Sequence, residues 1–133
     1  MARGGVDDNK LEFRFRMKTS KKIEGHLVVI GLWFSTVVAI ITISLLPDGA
    51  PIIGSIQPPW SDLAHMPAYA LLAMLTILSV AIRIQVSIRV LIIVVLMVIL
   101  FGTLLEAAQS FTDRTASFVD VGWNSVGAVA AAC

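Results

Sequence analysis

Long apolar runs leave this chain few ways to fold. Three of them cover residues 27–46, 63–82 and 88–105, the last broken only by Arg89 near its start. About twenty residues at 1.5 Å rise cross a hydrocarbon core of roughly 30 Å. A soluble fold would interrupt such runs every few positions, whereas in lipid the backbone must satisfy its own hydrogen bonds and therefore coils into helices. A fourth run, residues 119–133, contains Asp120 and Asn124. From residue 120 onward it reaches only about 21 Å, so it is expected either to stop inside the bilayer or to belong to a chain cut short at Cys133, the latter being favoured. Composition agrees with this class, with 57% apolar and 14% charged residues against about a quarter charged in soluble domains. The predicted fold is an all-α membrane protein, four transmembrane helices in a small antiparallel bundle. Its helices are placed at about 27–46, 63–82, 88–109 and 119–133, as one membrane domain over residues 26–133 behind a basic cytoplasmic tail over residues 1–25.

Charge placement sets the expected orientation. Arg3, Lys10, Arg14, Arg16, Lys18, Lys21 and Lys22 precede the first run, and Arg83 and Arg89 flank the link between the second and third. The segments 47–61 and 106–119 carry Arg114 alone. By the positive-inside rule the N-terminus and the 83–89 loop are cytoplasmic and the other two loops lie outside. A basic start followed by an apolar run also suits a signal peptide. Residues 26–46 are too long for a typical signal core, however, and no small-x-small cleavage site follows, so an uncleaved first helix is expected. The predicted location is the bacterial inner (cytoplasmic) membrane, crossed several times. Leu11, Phe13, Phe15 and Met17 alternate with Glu12, Arg14 and Arg16. That pattern fits a strip lying on the anionic inner leaflet, but a disordered basic tail that only sets topology is the favoured reading. Pro47, Pro51, Pro58 and Pro59, with Gly49 and Gly54, predict a non-helical outer loop, ordered or re-entrant, and Trp60 is expected at headgroup level. The single cysteine, Cys133, excludes an internal disulfide.

The remaining polar residues fall into three stripes. Asp62, His65 and Tyr69 are spaced i, i+3, i+7, within about 60° of one another on one helix face. Glu106 and Gln109 share a face near the end of the third helix, and Asp120 and Asn124 share one at the start of the fourth, continued by the small residues Gly127 and Ala131. With antiparallel threading all three stripes arrive at the same, outer depth. A charge at mid-membrane costs up to about 2.5–3.5 kcal/mol and less near the interface. The stripes are therefore expected to meet in a packed cluster, with the small residues allowing close helix approach.

Several chemistries suit such a cluster. Asp62 or Glu106 beside His65 forms an acid/base pair, which makes Asp62, His65 and Glu106 the candidate catalytic residues. Tyr69, Gln109, Arg114, Asp120 and Asn124 are the candidate ligand-binding residues, with Arg114 suited to a phosphate or carboxylate. Asp48, Asp62, Glu106, Asp113 and Asp120 face Arg114 alone on that side, which favours sugar hydroxyls, a cation or a metal-bridged phosphate over a bare anion. Asp62, His65, Glu106 and Asp120 also offer donors for a divalent cation, but no metal-ligand spacing specific enough to assign a metal is present, and no cofactor is expected. There is no nucleotide loop, Gly-x-Ser-x-Gly elbow or His-Glu-x-x-His motif, and the cations are too few and too close to the membrane to indicate nucleic acid. A hydrogen-bonded plug that fixes helix register, with no ligand, is the alternative to any functional reading.

Three separated motifs carry a family resemblance. They are Asp62-x-x-His65-x-x-x-Tyr69, then Gly102-x-x-x-Glu106-x-x-Gln109, then Arg114-x-x-Ser117-x-x-Asp120-x-x-x-Asn124-x-x-Gly127-Ala128. In order and spacing they resemble the VanZ-like family of small bacterial membrane proteins over residues 27–131. Leu63 stands where that family tends to have lysine, Thr112-Asp113 where it often has Pro-Gly, and Ala131 where a further glycine is expected. The resemblance implies a cell-envelope role, since the family's namesake is associated with low-level resistance to the glycopeptide teicoplanin, but it brings no established reaction. The expected function is thus binding or modification of an outer-leaflet lipid or lipid-linked glycan, with catalysis left open. Membrane lipids, a lipid-linked envelope precursor or a membrane-protein partner are the expected partners. The alternative is a non-catalytic accessory subunit whose polar cluster is structural. A proton- or cation-coupled permease is disfavoured by four short spans without an inverted repeat.

Overall fold

A computed structural model describes residues 7–46, 60–111 and 117–133, and all four of its regular elements are α-helices. They are α1 (Asp7–Leu45), α2 (Trp60–Ala81), α3 (Ile88–Gln109) and α4 (Phe118–Ala130). Three contain stretches long and apolar enough to cross a membrane, Ile23–Leu45, Leu63–Ala81 and Ile88–Gln109. The fourth, at 13 residues, rises only about 20 Å. Among the described residues this is therefore a multi-pass architecture of three long apolar helices and one short one.

The element boundaries follow from local chemistry. Ser87 caps α3, its hydroxyl accepting from Val90 N, and Ser117 caps α4 by accepting from Val119 N at 3.2 Å. Asp120 in the first turn of α4 adds a favourable charge near the helix N-terminus. Pro67 lies inside α2, tolerated there because neighbouring helices and local adjustment can satisfy the freed carbonyl. The hydroxyls of Thr36, Thr76, Ser79, Thr103 and Ser125 each donate to the carbonyl four residues earlier, so none needs water.

The basic segment differs from expectation. Residues 7–25 are not an irregular tail but continue α1 as one 39-residue helix. Period-two alternation at residues 11–17 misleads because Leu, Met, Glu, Lys and Arg are all strong helix formers. Glu12 and Arg16 at i, i+4 and the acidic start at Asp7 and Asp8 favour a helix too. At about 1.5 Å per residue this helix is about 58 Å long, well beyond one bilayer crossing.

Packing is inside-out relative to a soluble protein. Leu27 (65% exposed), Ile88 (69%) and Met97 (63%) project outward, while Ser44, Glu106, Gln109 and Asn124 are buried. Large apolar faces of that kind belong in lipid. The buried apolar core is narrow, made of Ile40, Tyr69, Leu72, Ala73, Val94, Val98, Leu105 and Ala128. Its centre is α2, which touches every other helix and shares its broadest interface with α4. Gly127 makes that interface possible, because a Cβ there would run into the Met66 carbonyl and lie 3.0 Å from Ala70 N. Trp33 Nε1 donates to Thr76 Oγ1 at 2.9 Å, joining α1 to α2.

Candidate functional site

Close approach of α2 and α4 brings the start of α2, the end of α3 and the start of α4 to one place. Each helix contributes two residues one turn apart: His65 and Tyr69 from α2, Gly102 and Glu106 from α3, Asp120 and Asn124 from α4. At four-residue spacing each pair shares a helix face, so the site has two layers.

The upper layer is ionisable. One ring nitrogen of His65 and one carboxylate oxygen each of Glu106 and Asp120 lie within 4.8 Å of one another. Glu106 is 5% exposed, and its Oε2 accepts from the backbone N–H of Ser117 at 3.2 Å. The capping residue of α4 is thereby tied to the last turn of α3.

Tyr69, Gly102 and Asn124 form the floor. Tyr69 is buried, its ring stacked on His65 with centroids 6.3 Å apart and tilted against Phe101 at 6.5 Å. Asn124 Oδ1 lies 3.0 Å from His65 Nδ1, which ties the layers together. A carboxamide oxygen only accepts, so in this contact Nδ1 carries the proton and donates. Gly102 leaves the room required: a Cβ there would sit 2.8 Å from Tyr69 Cε1 and 2.9 Å from Asn124 Nδ2. Asn124 is 1% exposed, and its Nδ2 has no hydrogen-bond partner among the described residues. An unsatisfied buried donor costs about 1–3 kcal/mol.

Beside the cluster, between α3 and α4, lies a cleft of about 220 Å³ lined by Thr103, Glu106, Ala107, Ser117, Phe118 and Val121. Glu106 belongs to both the cluster and the cleft. Phe118 at its rim is 96% exposed and Phe111 near the end of α3 is 91% exposed, apolar surface suited to lipid.

Of the residues singled out in the sequence, His65, Tyr69, Glu106, Asp120 and Asn124 come together. Gln109 does not join them by the hydrogen bond found for it: its Nε2 donates to the Ser44 carbonyl at 3.0 Å, tying α3 to the end of α1. Gln109 is 60° round the helix from Glu106 (three residues at about 100° each), enough to face a different neighbour. Asp62 is in the first turn of α2, but its side chain lies outside the described residues, as do Arg114 and the 47–59 loop. Ser44 and the Ser117 amide take part through backbone atoms, which no side-chain motif signals. Gly102 was legible as space only once its neighbours were known.

Fold and cluster define a multi-pass helical membrane protein with a buried polar site at one end of its helices. No family model, curated protein or solved structure matches the chain.

Proposed function

We propose that this is a VanZ-like protein of the bacterial inner membrane that binds or modifies an outer-leaflet lipid or lipid-linked glycan. The reading places the N-terminus in the cytoplasm, threads the long helices antiparallel, and sets the cluster at the outer face, with α4 as a short helix packed against α2 and α3. One observation carries it: Glu106 stands where a polar cluster adjoins a mostly apolar cleft of about 220 Å³. An amphiphile needs that juxtaposition, with hydroxyls or a headgroup at His65, Glu106 and Asp120 and a length of acyl chain against Phe118 and Val121. The link to teicoplanin susceptibility belongs to the same reading.

A phospholipid carrying a photoreactive acyl chain tests it on the purified chain in nanodiscs. Crosslinks are expected to concentrate on Ala107, Phe118 and Val121, and to fall at least fivefold in Val121→Trp, which fills the cleft. Equal labelling of the lipid-facing Leu96 and Met97 would remove the case for a lipid site. Orientation is checked separately with Lys10→Cys in a Cys133→Ser background. A membrane-impermeant maleimide should label it in inverted vesicles and not in intact cells, and the reverse result inverts the topology.

The accessory-subunit reading has its own support, since His65–Asn124 and Gln109–Ser44 tie helix pairs together without any ligand. It expects one stoichiometric membrane protein to co-purify, and a clean monomer counts against it.

A further inference from the structure

We infer that His65, Glu106 and Asp120 form a site for one divalent transition-metal cation of the Mn²⁺ or Zn²⁺ class. Their three donor atoms lie within 4.8 Å of one another. Bonds of about 2.0–2.2 Å to a shared ion set donors roughly 3–3.5 Å apart, so side-chain adjustment of about 1 Å closes the set. The donors come from α2, α3 and α4, and glycines at the contacts let those helices approach: Gly127 against the Met66 carbonyl, Gly102 against Tyr69 and Asn124. An imidazole nitrogen with two carboxylates suits a transition ion better than Mg²⁺ or Ca²⁺, which favour oxygen-only shells.

The residues around the donors point the same way. His65 Nδ1 is held 3.0 Å from Asn124 Oδ1, so the neutral imidazole that donates from Nδ1 offers its lone pair at Nε2. Histidines that bind metals are generally oriented in this way, through a hydrogen bond from the other ring nitrogen to an oxygen. Asn124 is 1% exposed, and its Nδ2 has no partner among the described residues. One turn from Asp120 on α4 and beside Gly102, which is itself one turn from Glu106 on α3, it places an available donor at the floor of the set, suited to an oxygen carried in with the ion. The cation site stands whether or not the lipid reading holds. Where both hold, the ion gives an acidic cluster the positive charge needed to hold a headgroup phosphate.

Mn²⁺ alone tests the site, titrated into the full chain in detergent after chelator treatment and counted by electron paramagnetic resonance. The expected result is one saturable ion per chain, displaced by Zn²⁺, with electron spin-echo modulation from one imidazole nitrogen. That modulation should persist in His26→Ala, which removes the only other histidine, and vanish in His65→Gln. Affinity should fall at least tenfold in Asp120→Asn. Absence of saturable binding, a nitrogen signal that disappears with His26→Ala, or unchanged affinity in Asp120→Asn overturns the assignment. If the substituted cluster variants do not fold, the wild type and His26→Ala decide it. Because no lipid is present, failure here is distinct from failure of the crosslinking experiment.

Discussion

Gly127→Ala is expected to cost about 3 kcal/mol of stability, seen as a clear fall in the detergent melting temperature and in folded yield. Overpacking a core by one methyl typically costs about 1–3 kcal/mol when side chains can shift. Here the obstructing atoms are backbone, the Met66 carbonyl and Ala70 N, so α2 and α4 must separate along their broadest interface. The cost belongs at the top of that range. Gly122→Ala is the control, on the same helix with nothing within 4 Å of the added carbon. It is expected to be neutral or to gain up to about 1 kcal/mol from helix propensity. The effect should also reach the site, because separating α2 from α4 pulls His65 away from Asn124. A Gly127→Ala protein as stable as its Gly122→Ala counterpart would mean that the two helices do not meet here.

Glu106 gives the second large effect, read from a pair of substitutions. Glu106→Ala leaves the Ser117 amide without the carboxylate that accepts from it at 3.2 Å, at a cost of about 1–3 kcal/mol. Glu106→Gln keeps an oxygen of the same reach and is expected to retain folded yield near wild type. Both remove the charge from the cluster, so both should lower acyl-chain crosslinking in the cleft at least tenfold. If Gln restores both yield and crosslinking, the carboxylate is only a helix tie and the cluster is a structural plug. Loss of capture with a preserved fold separates function from scaffolding.

Much of the site was legible because helices convert spacing into faces. His65 and Tyr69, and Asp120 and Asn124, were assignable to shared stripes from residue numbers alone, and the structure brings those residues to Glu106. Gln109 shows where that logic stops. Its i, i+3 relation to Glu106 promised a common face, yet its amide donates to the Ser44 carbonyl. A 60° offset is small along one helix and large where two different neighbours divide its surface. The basic segment differs for another reason: its charge suggested a disordered tail, while its residue types favour a helix, and α1 runs through it. The sequence offered His65, Glu106 and Asp120 as cation donors together with Asp62 but gave no spacing that assigns a metal, because they lie 41 and 14 positions apart, not at the short spacing of a ligand pair on one element.

Taken alone, the amino-acid order settles that this chain is helical and at home in lipid. Runs of apolar side chains that long have no other means of satisfying their backbone. It also settles which residues share a helix face, through the 3.6-residue period. Which face meets which helix was decided only in three dimensions: α2 against α4 through Gly127, Gln109 towards α1, Glu106 between cluster and cleft. A helical period determines direction around an axis, and partners are chosen by where backbones can approach, a property of several segments at once that no single stretch of sequence contains.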